Sequence, residues 1–457
     1  MRDTRVVSPQ VWSLCYSLLR HPHGGREQLV AFQNERLRLM IDHAYCHVAY
    51  YRRLFDRHGL TPRDIRTVED LAAVPVTSRS DLQALPVEEI IARHVNPGSL
   101  ITRSSSGSSG KPFMVYRTWL EERVHGLLRW RALHGLGLRA RDKICIVMGL
   151  QSPQRQDHQI IQRIMATFGI ARQRVLNALQ SPEDIVQELK RHRPAVVSGY
   201  PGVLARIART VNSEELRSLR LRFVNTGGEV LTPLMRHQIQ EGFSVPVYDT
   251  YGSIEFNLLA WQCGMTDALH CCDDGMILEV VKGDHPVKEG ETGEVVGTDL
   301  HSFAMPLIRY QLGDVATKGS QICGCGKPFS TIRSIQGRIL DYFRLPDGRL
   351  IHPYEFPLGR EKLPWIREFQ ITQHCGDRIV MKAVPLHRPS LDELCALTKP
   401  MEKLLGQNVT FEVELVLDIP RETTGKYRVY RSLVQPGRDS EVRPDCPNVI
   451  KSKGSKE

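Results

Sequence analysis

Apolar positions along this chain follow two rhythms, and the change between them marks out its parts. From residue 26 to 60, Leu29, Phe32, Leu37, Met40 and Ile41 recur at helical spacing with charges between them, which predicts helix. Residues 67–86 read as short helices interrupted by prolines, with N-cap spacing in Thr67 and Asp70 and again in Ser78 and Asp81. Further on, strands and helices alternate. An apolar strand at 143–148 ends at Gly149, a helical stretch covers 181–192, and strands follow at 194–201, 221–231 and 245–252. This alternation predicts a parallel sheet with functional loops at the carboxyl ends of its strands. After residue 276 the runs shorten and gain glycine turns, as in MILEVVKGD and GEVVGTDL, which predicts a β-rich subdomain over about 270–335. Past GRILDYF, the strands EFQITQ and RIVMKAV with a helix near 391–405 suit a small α+β module. The tail over 436–457, rich in Pro, Lys, Asp and Ser, reads as disordered. The expected fold class is α/β, with a large N-terminal domain over 1–337 and a small C-terminal domain over 338–435.

At 457 residues, 41% apolar and 25% charged, the chain can bury a large core and exceeds one ordinary domain. No apolar run approaches the roughly 20 residues that a bilayer-spanning helix takes, so no membrane span is expected. The N-terminus starts basic but lacks a secretory h-region, and a cytoplasmic location is expected. In that compartment the eleven cysteines suit free thiols or metal ligands better than a disulfide framework. The net charge of +10 rests on scattered residues such as Arg52, Arg53, Arg129, Arg131, Arg191 and Arg193, not on a basic run with aromatics. That distribution argues against nucleic acid and for a small anionic ligand.

Candidate chemistry begins at Arg103–Pro112, RSSSGSSGKP. Within it, Ser105, Ser106, Gly107, Ser108, Ser109, Gly110 and Lys111 offer main-chain N–H groups, hydroxyls and a cation to a polyphosphate. A flexible linker is the plainer reading of the same composition. It is not a Walker A loop: Gly107 and Gly110 stand closer than GxxxxGK[ST] requires, and Pro112 replaces the magnesium-binding hydroxyl. After the third strand, Gly227, Gly228 and Glu229 follow Thr226, and the glycines would let a flat base lie against the backbone. Tyr251-Gly252-Ser253-Ile254-Glu255 supplies a ring for stacking and a carboxylate able to reach magnesium. Asp314, closing Ile308–Asp314, offers a carboxylate open to two bonds from a ribose diol. Gly337-Arg338 precedes the change of domain, and Gly425-Lys426 forms a late turn.

In order and spacing, these pieces resemble the adenylate-forming superfamily of acyl-CoA synthetases, peptide-synthetase adenylation domains and luciferases. The N-terminal pattern over 49–82 and AMPLIRYQLGD at 304–314 narrow the resemblance to the phenylacetate–CoA ligase branch with its CapK-like members. The resemblance covers about residues 30 to 432. It implies a phosphate loop at Ser105–Lys111, an adenine-contacting turn at Gly227, Gly228 and Glu229, and an aromatic at Tyr251. It further implies a magnesium-associated acid at Glu255, a ribose-binding acid at Asp314 and a hinge-proximal arginine at Arg338. Lys426 then matches the lysine that reaches the carboxylate and α-phosphate, carried on a mobile C-terminal domain. The implied reaction joins a carboxylic acid, aryl or arylalkyl, to ATP with Mg²⁺ and passes the acyl group to coenzyme A. Two departures stand out. Ile254 replaces the motif's threonine, and Leu340 replaces the pivot carboxylate of the hinge GRxDD, with Asp341 beside it.

Cys263, His270, Cys323 and Cys325 have the composition of a structural Cys₃His zinc set, which some members of the branch resemble here. Cys271 and Cys272 are nearby substitutes, and ordinary thiols in glycine-rich turns are the other reading. Two further functions remain open from the sequence. One is a ligase that passes the acyl group to an amine, a sugar or a carrier thiol, which the altered hinge favours. The other is a nucleotide-binding scaffold without catalysis, against which Lys111, Glu255, Asp314 and Lys426 together argue.

Overall fold

The computed structural model describes residues 9–104, 113–149, 172–338, 343–351, 356, 358, 363–422 and 426–434. The chain divides into two compact units, one of residues 1–337 with 422–427 and one of 338–421 with 428–457. The tail read as disordered lies outside the described residues. No helix among those described is long and apolar enough to cross a membrane.

In the first unit, β1 (Ile101–Ser104) and β2 (Met114–Arg117) pair antiparallel as the first hairpin. The unit is organised by one sheet of twelve strands. These are β3 (Lys143–Met148), β4 (Arg172–Asn177), β5 (Val196–Gly199), β6 (Phe223–Gly227), β7 (Val247–Tyr251), β8 (Ala260–Gln262), β9 (Leu269–Cys271), β10 (Met276–Lys282), β11 (His285–Pro286), β12 (Thr292–Asp299), β13 (Tyr310–Lys318) and β14 (Thr331–Arg338). Their spatial order is β11-β10-β12-β13-β14-β9-β8-β7-β6-β5-β3-β4. From β4 to β7 neighbours run parallel, joined by the helices Pro182–His192, Pro201–Thr210 and Pro233–Phe243. From β7 onward the pairing turns antiparallel through β8 and β9, and β9 pairs with β14. The β-rich stretch thus continues the parallel sheet instead of forming a sheet of its own. Short β8 and β9 are buried along their whole length and carry the ladder across.

The helical stretch over 26–60 is two helices, Arg26–His47 and Ala49–Arg57, because Val48 is extended. Val48 is itself buried, and the break turns Tyr51 and Phe55 into the core that Leu37, Met40 and Ile41 already line. Of the two predicted caps one forms: the short helix Glu69–Ala73 has Val68 at its N-cap position, with no side-chain cap. The Asp70 carboxylate accepts from the main-chain N–H and hydroxyl of Thr67, and Ser78 and Asp81 make a reciprocal capping box.

The second unit has a small hairpin, β15 (Phe343–Arg344) with β16 (Leu350–Ile351), and a sheet of four strands. These strands are β17 (Ile366–Cys375), β18 (Arg378–Pro385), β19 (Thr410–Leu415) and β20 (Tyr430–Ser432), ordered β19-β18-β17-β20. The helix Leu391–Leu405, capped by Ser390 and Glu393, buries Leu397, Met401 and Leu405. Cys375 is disulfide-bonded, which the preference for thiols and ligands over a disulfide framework did not anticipate. Spacing alone carried no signal for that pairing.

Candidate active site

Gly149, Tyr200, Gly227–Glu229 and Tyr251 come from distant parts of the sequence. The topology gathers them because each follows or ends one of the parallel neighbours β3, β5, β6 and β7. Such carboxyl edges are where open α/β sheets bind ligands. Gly228 has φ +79°, and a Cβ there would sit 3.0 Å from the Tyr200 ring, so only glycine suits the turn. Burial pushes the Tyr200 phenol up, a Gly149 main-chain hydrogen bond opposes this, and the Glu229 charge adds to it.

At the end of β7 the Tyr251 hydroxyl donates to Oδ2 of Asp314 at 2.6 Å. This alters the sequence reading of Asp314 as an acid with its whole carboxylate open to a ribose. One oxygen is already engaged, and the aromatic and the acid form a joined pair. Below them, burial pushes Asp249 up to about 6, partly opposed by Thr226 Oγ1, which donates to it at 2.7 Å.

The Tyr251–Glu255 turn is held from behind by a residue that the sequence did not single out. Arg117, at the end of β2 and almost fully buried, donates through Nη2 to the carbonyls of Ile254, at 3.2 Å, and Glu255. Its Nε reaches Ser302 Oγ at 3.4 Å. Ser302 leads to Asp299, whose Oδ1 accepts from the main chain of His301 at 2.7 Å and of Ser302 at 2.9 Å. Asp299 Oδ2 accepts from Ser302 Oγ at 2.9 Å and faces His125 Nε2 at 3.2 Å. Burial raises the Asp299 pKa, but His125 and Arg117 more than offset it, and the carboxyl lies below the ordinary range. Tyr310, near Glu255, is pushed well up, first by burial and then by that acid's charge. Arg309, which precedes Tyr310, is fully buried and donates to the carbonyls of Ala72, Val74 and Asp284, so it locks the N-terminal region in place.

Lys426 lies in the segment that groups with the first unit, with Nζ 5.5 Å from the Tyr200 ring centroid. Ser105, Ser106, Gly107, Ser108, Ser109, Gly110 and Lys111 fall outside the described residues, as do Gly425, Leu340 and Asp341. Of Arg338 only the main chain is described, at the end of β14.

A second cluster lies where the sheet changes from parallel to antiparallel. Cys263 follows β8, His270 sits in β9, and Cys323 and Cys325 lie in the turn before β14, which pairs with β9. Their ligand atoms all lie within 4.8 Å of one another. The Cys263 and Cys323 sulfurs are 3.8 Å apart, and Cys325 Sγ is 3.3 Å from His270 Nε2. A tetrahedron with metal–sulfur bonds of about 2.3 Å and a metal–nitrogen bond of about 2.0 Å has edges of about 3.8 and 3.5 Å. The donor set therefore fits zinc in chemistry and in spacing. Burial first, then the Lys327 charge, pushes His270 down to about 4, which keeps the imidazole neutral as a ligand must be.

No family model matches the chain. A phenylacetate–coenzyme A ligase of Thermus thermophilus is 30% identical over 338 residues, covering 69% of this chain and 72% of that protein. A second such ligase, from Pseudomonas putida, is 28% identical over 67% of this chain and 70% of its own length. Protein CapK of Staphylococcus aureus is 22% identical over 88% of both chains. Among solved structures, a 2-hydroxyisobutyryl-CoA ligase in the postadenylation state superposes with a TM-score of 0.75 at 21% identity, covering 91% of this chain and 92% of that one. That likeness establishes a shared fold.

Proposed function

The chain belongs to the phenylacetate–coenzyme A ligase family of adenylate-forming enzymes, and from that premise we propose that it activates a carboxylic acid with ATP and transfers the acyl group to coenzyme A. The first step releases pyrophosphate and leaves an acyl-adenylate, and the second forms the thioester. The observation that carries the reading is the convergence of Tyr200, Gly228, Tyr251, Asp314 and Lys426 around the carboxyl ends of the parallel strands. In this arrangement Tyr251 and Asp314 hold the nucleoside, and Gly227 and Gly228 present bare backbone to the base. Glu255, an oxygen ligand on a turn fixed by Arg117, is the residue to hold magnesium, which when bound offsets phosphate charge. Lys426 stabilises the charge that develops as the acid's carboxylate meets the α-phosphorus. An aryl or arylalkyl acid is the class proposed, because the named phenylacetate ligases are the relatives of highest identity reported above.

ATP–pyrophosphate exchange with magnesium, run against aryl, fatty and amino acids without coenzyme A, tests this. Exchange with one class supports adenylation and names the acid. A silent panel from a protein that binds ATP rules the reading out for those acids and returns the scaffold. A second reading changes only the acceptor to an amine, a sugar or a carrier thiol. Leu340 in place of the hinge carboxylate favours it, and so does the CapK match, which spans more of the chain than the phenylacetate ligases do. Product formation that ignores coenzyme A would select it.

The zinc assignment to Cys263, His270, Cys323 and Cys325 belongs to the same proposal, as a structural tie with no open coordination position. The purified protein is expected to carry about one zinc per chain. Cys263→Ser is expected to release the metal and lower the thermal midpoint, read by metal analysis and calorimetry. Retention of the metal in that variant would refute the ligand set.

A further inference from the structure

Glu229 stands in the turn read as the adenine contact, yet both of its carboxylate oxygens hold main chain. Oε2 accepts the N–H of Gly202 at 3.0 Å, and Oε1 accepts the N–H of Tyr427 at 2.5 Å. Gly202 lies in the first turn of the helix Pro201–Thr210, whose N-cap residue, Tyr200, makes no side-chain cap. The first N–H groups of a helix lack intrahelical partners, and its N-terminus favours negative charge. One Glu229 oxygen is therefore fixed by this helix end, which orients the other toward Tyr427. The surroundings fit the same purpose. Tyr427 is 3% exposed, and a Cβ on Gly202 would stand 2.7 Å from the Tyr427 Cβ. The residue before it is Lys426, whose carbonyl accepts the Glu422 N–H at 3.0 Å.

We infer that Glu229 is a positioning residue: its carboxylate ties the Tyr427 main chain to the N-terminus of the helix Pro201–Thr210 and thereby sets the adjoining Lys426 for adenylation. The inference rests on the adenylation reading given above. A lysine side chain is long and loses much rotamer freedom when ordered, so anchoring the backbone one residue away removes most of the remaining search. Charge-assisted bonds to backbone N–H are among the stronger hydrogen bonds, and bare Gly202 lets the two backbones approach closely enough to share one carboxylate.

The test compares the wild type with Glu229→Ala, the near-isosteric Glu229→Gln, and Gly202→Ala. Amide hydrogen exchange at Tyr427 and Gly202 is measured first, because it reads the anchor whether or not the acid is known. Glu229→Ala is expected to speed Tyr427 exchange by roughly tenfold or more, and Glu229→Gln, which keeps one acceptor, by less. In pyrophosphate exchange, turnover is expected to fall roughly 10- to 100-fold while the KM for ATP stays within about twofold. Gly202→Ala is expected to reproduce that split by forcing Tyr427 away. Unchanged Tyr427 protection in folded Glu229→Ala overturns the inference, as does a raised ATP KM with turnover intact, which would make Glu229 an adenine ligand. A wild type silent with every acid sinks adenylation as a function, and with it Lys426's purpose, even where the exchange data show the anchor intact.

Discussion

Lys426→Ala is expected to slow acyl-adenylate formation about 10²- to 10³-fold, the usual effect of deleting one preorganised donor at a developing charge. The cause is electrostatic. A carboxylate approaching the α-phosphorus brings two anions together, and a lysine at that point offsets their repulsion most when the new bond is half made. ATP alone does not need it: Tyr251, Asp314 and the glycine turn hold the nucleoside in the proposed arrangement. The dissociation constant of ATP measured without acid is therefore expected to change little, while single-turnover adenylate formation collapses. Equal losses in both would place Lys426 in ground-state binding and remove its assigned role. The ring of Tyr200 under Nζ favours the charged lysine, so Lys426→Arg, which keeps charge but not shape, is expected to recover only part of the rate.

The second large effect concerns stability. Asp299→Ala is expected to cost about 3–5 kcal/mol, the range for breaking a buried ion pair from one side. The carboxylate is fully buried and accepts from the main chain of His301 and Ser302 and from the Ser302 hydroxyl, with His125 and Arg117 beside it. Its removal strands all of them at once, including the guanidinium that holds the Glu255 turn. Urea unfolding with an unchanged slope would report the loss. Asp274 forms a similar knot with Arg131 and His21, and its carboxyl is likewise held below the ordinary range because Arg131 and His21 outweigh the effect of burial. Groups with depressed folded pKa values add stability that is present above the unfolded value, near 4, and is lost as pH falls through the folded one. Stability is accordingly expected to decline on acidification below about pH 4, and the Asp299→Ala variant is expected to show a shallower decline.

What the sequence displayed was what repeats locally. The strands at 143–148, 194–201, 221–231 and 245–252 each contain an observed strand, and the capping pair at Ser78 forms as spaced. Gly227–Glu229, Tyr251 and Asp314 stood out as short motifs, and the topology brings Tyr251 to Asp314. The four zinc-type donors were legible by residue type, and the pairing of β9 with β14 explains why residues so far apart converge. Arg117 and Asp299 were not legible. Arg117's partners, and the His125 that faces Asp299, lie far off in sequence, and a buried arginine looks the same in a sequence as a solvated one. Val48 gave no sign of breaking a helix, because its extended backbone is set by the core it enters. Nor could the second task of Glu229 be read, since it depends on a segment that follows about two hundred residues later.

The continuity of the twelve-stranded ladder bears on how such a molecule can work. Hydrogen-bonded neighbours run from β4 to β11 without a gap, so Tyr251 at the end of β7 and Asp314 within β13 ride on one continuous framework. A change in the spacing of those two side chains would have to deform the ladder itself. The last strand of the sheet, β14, ends with Gly337, whose φ is +103°, and Arg338. The Tyr251–Asp314 hydrogen bond joins two strands far apart in sequence but fixed in one ladder, so its geometry is inherited from the sheet and not from the loops around it.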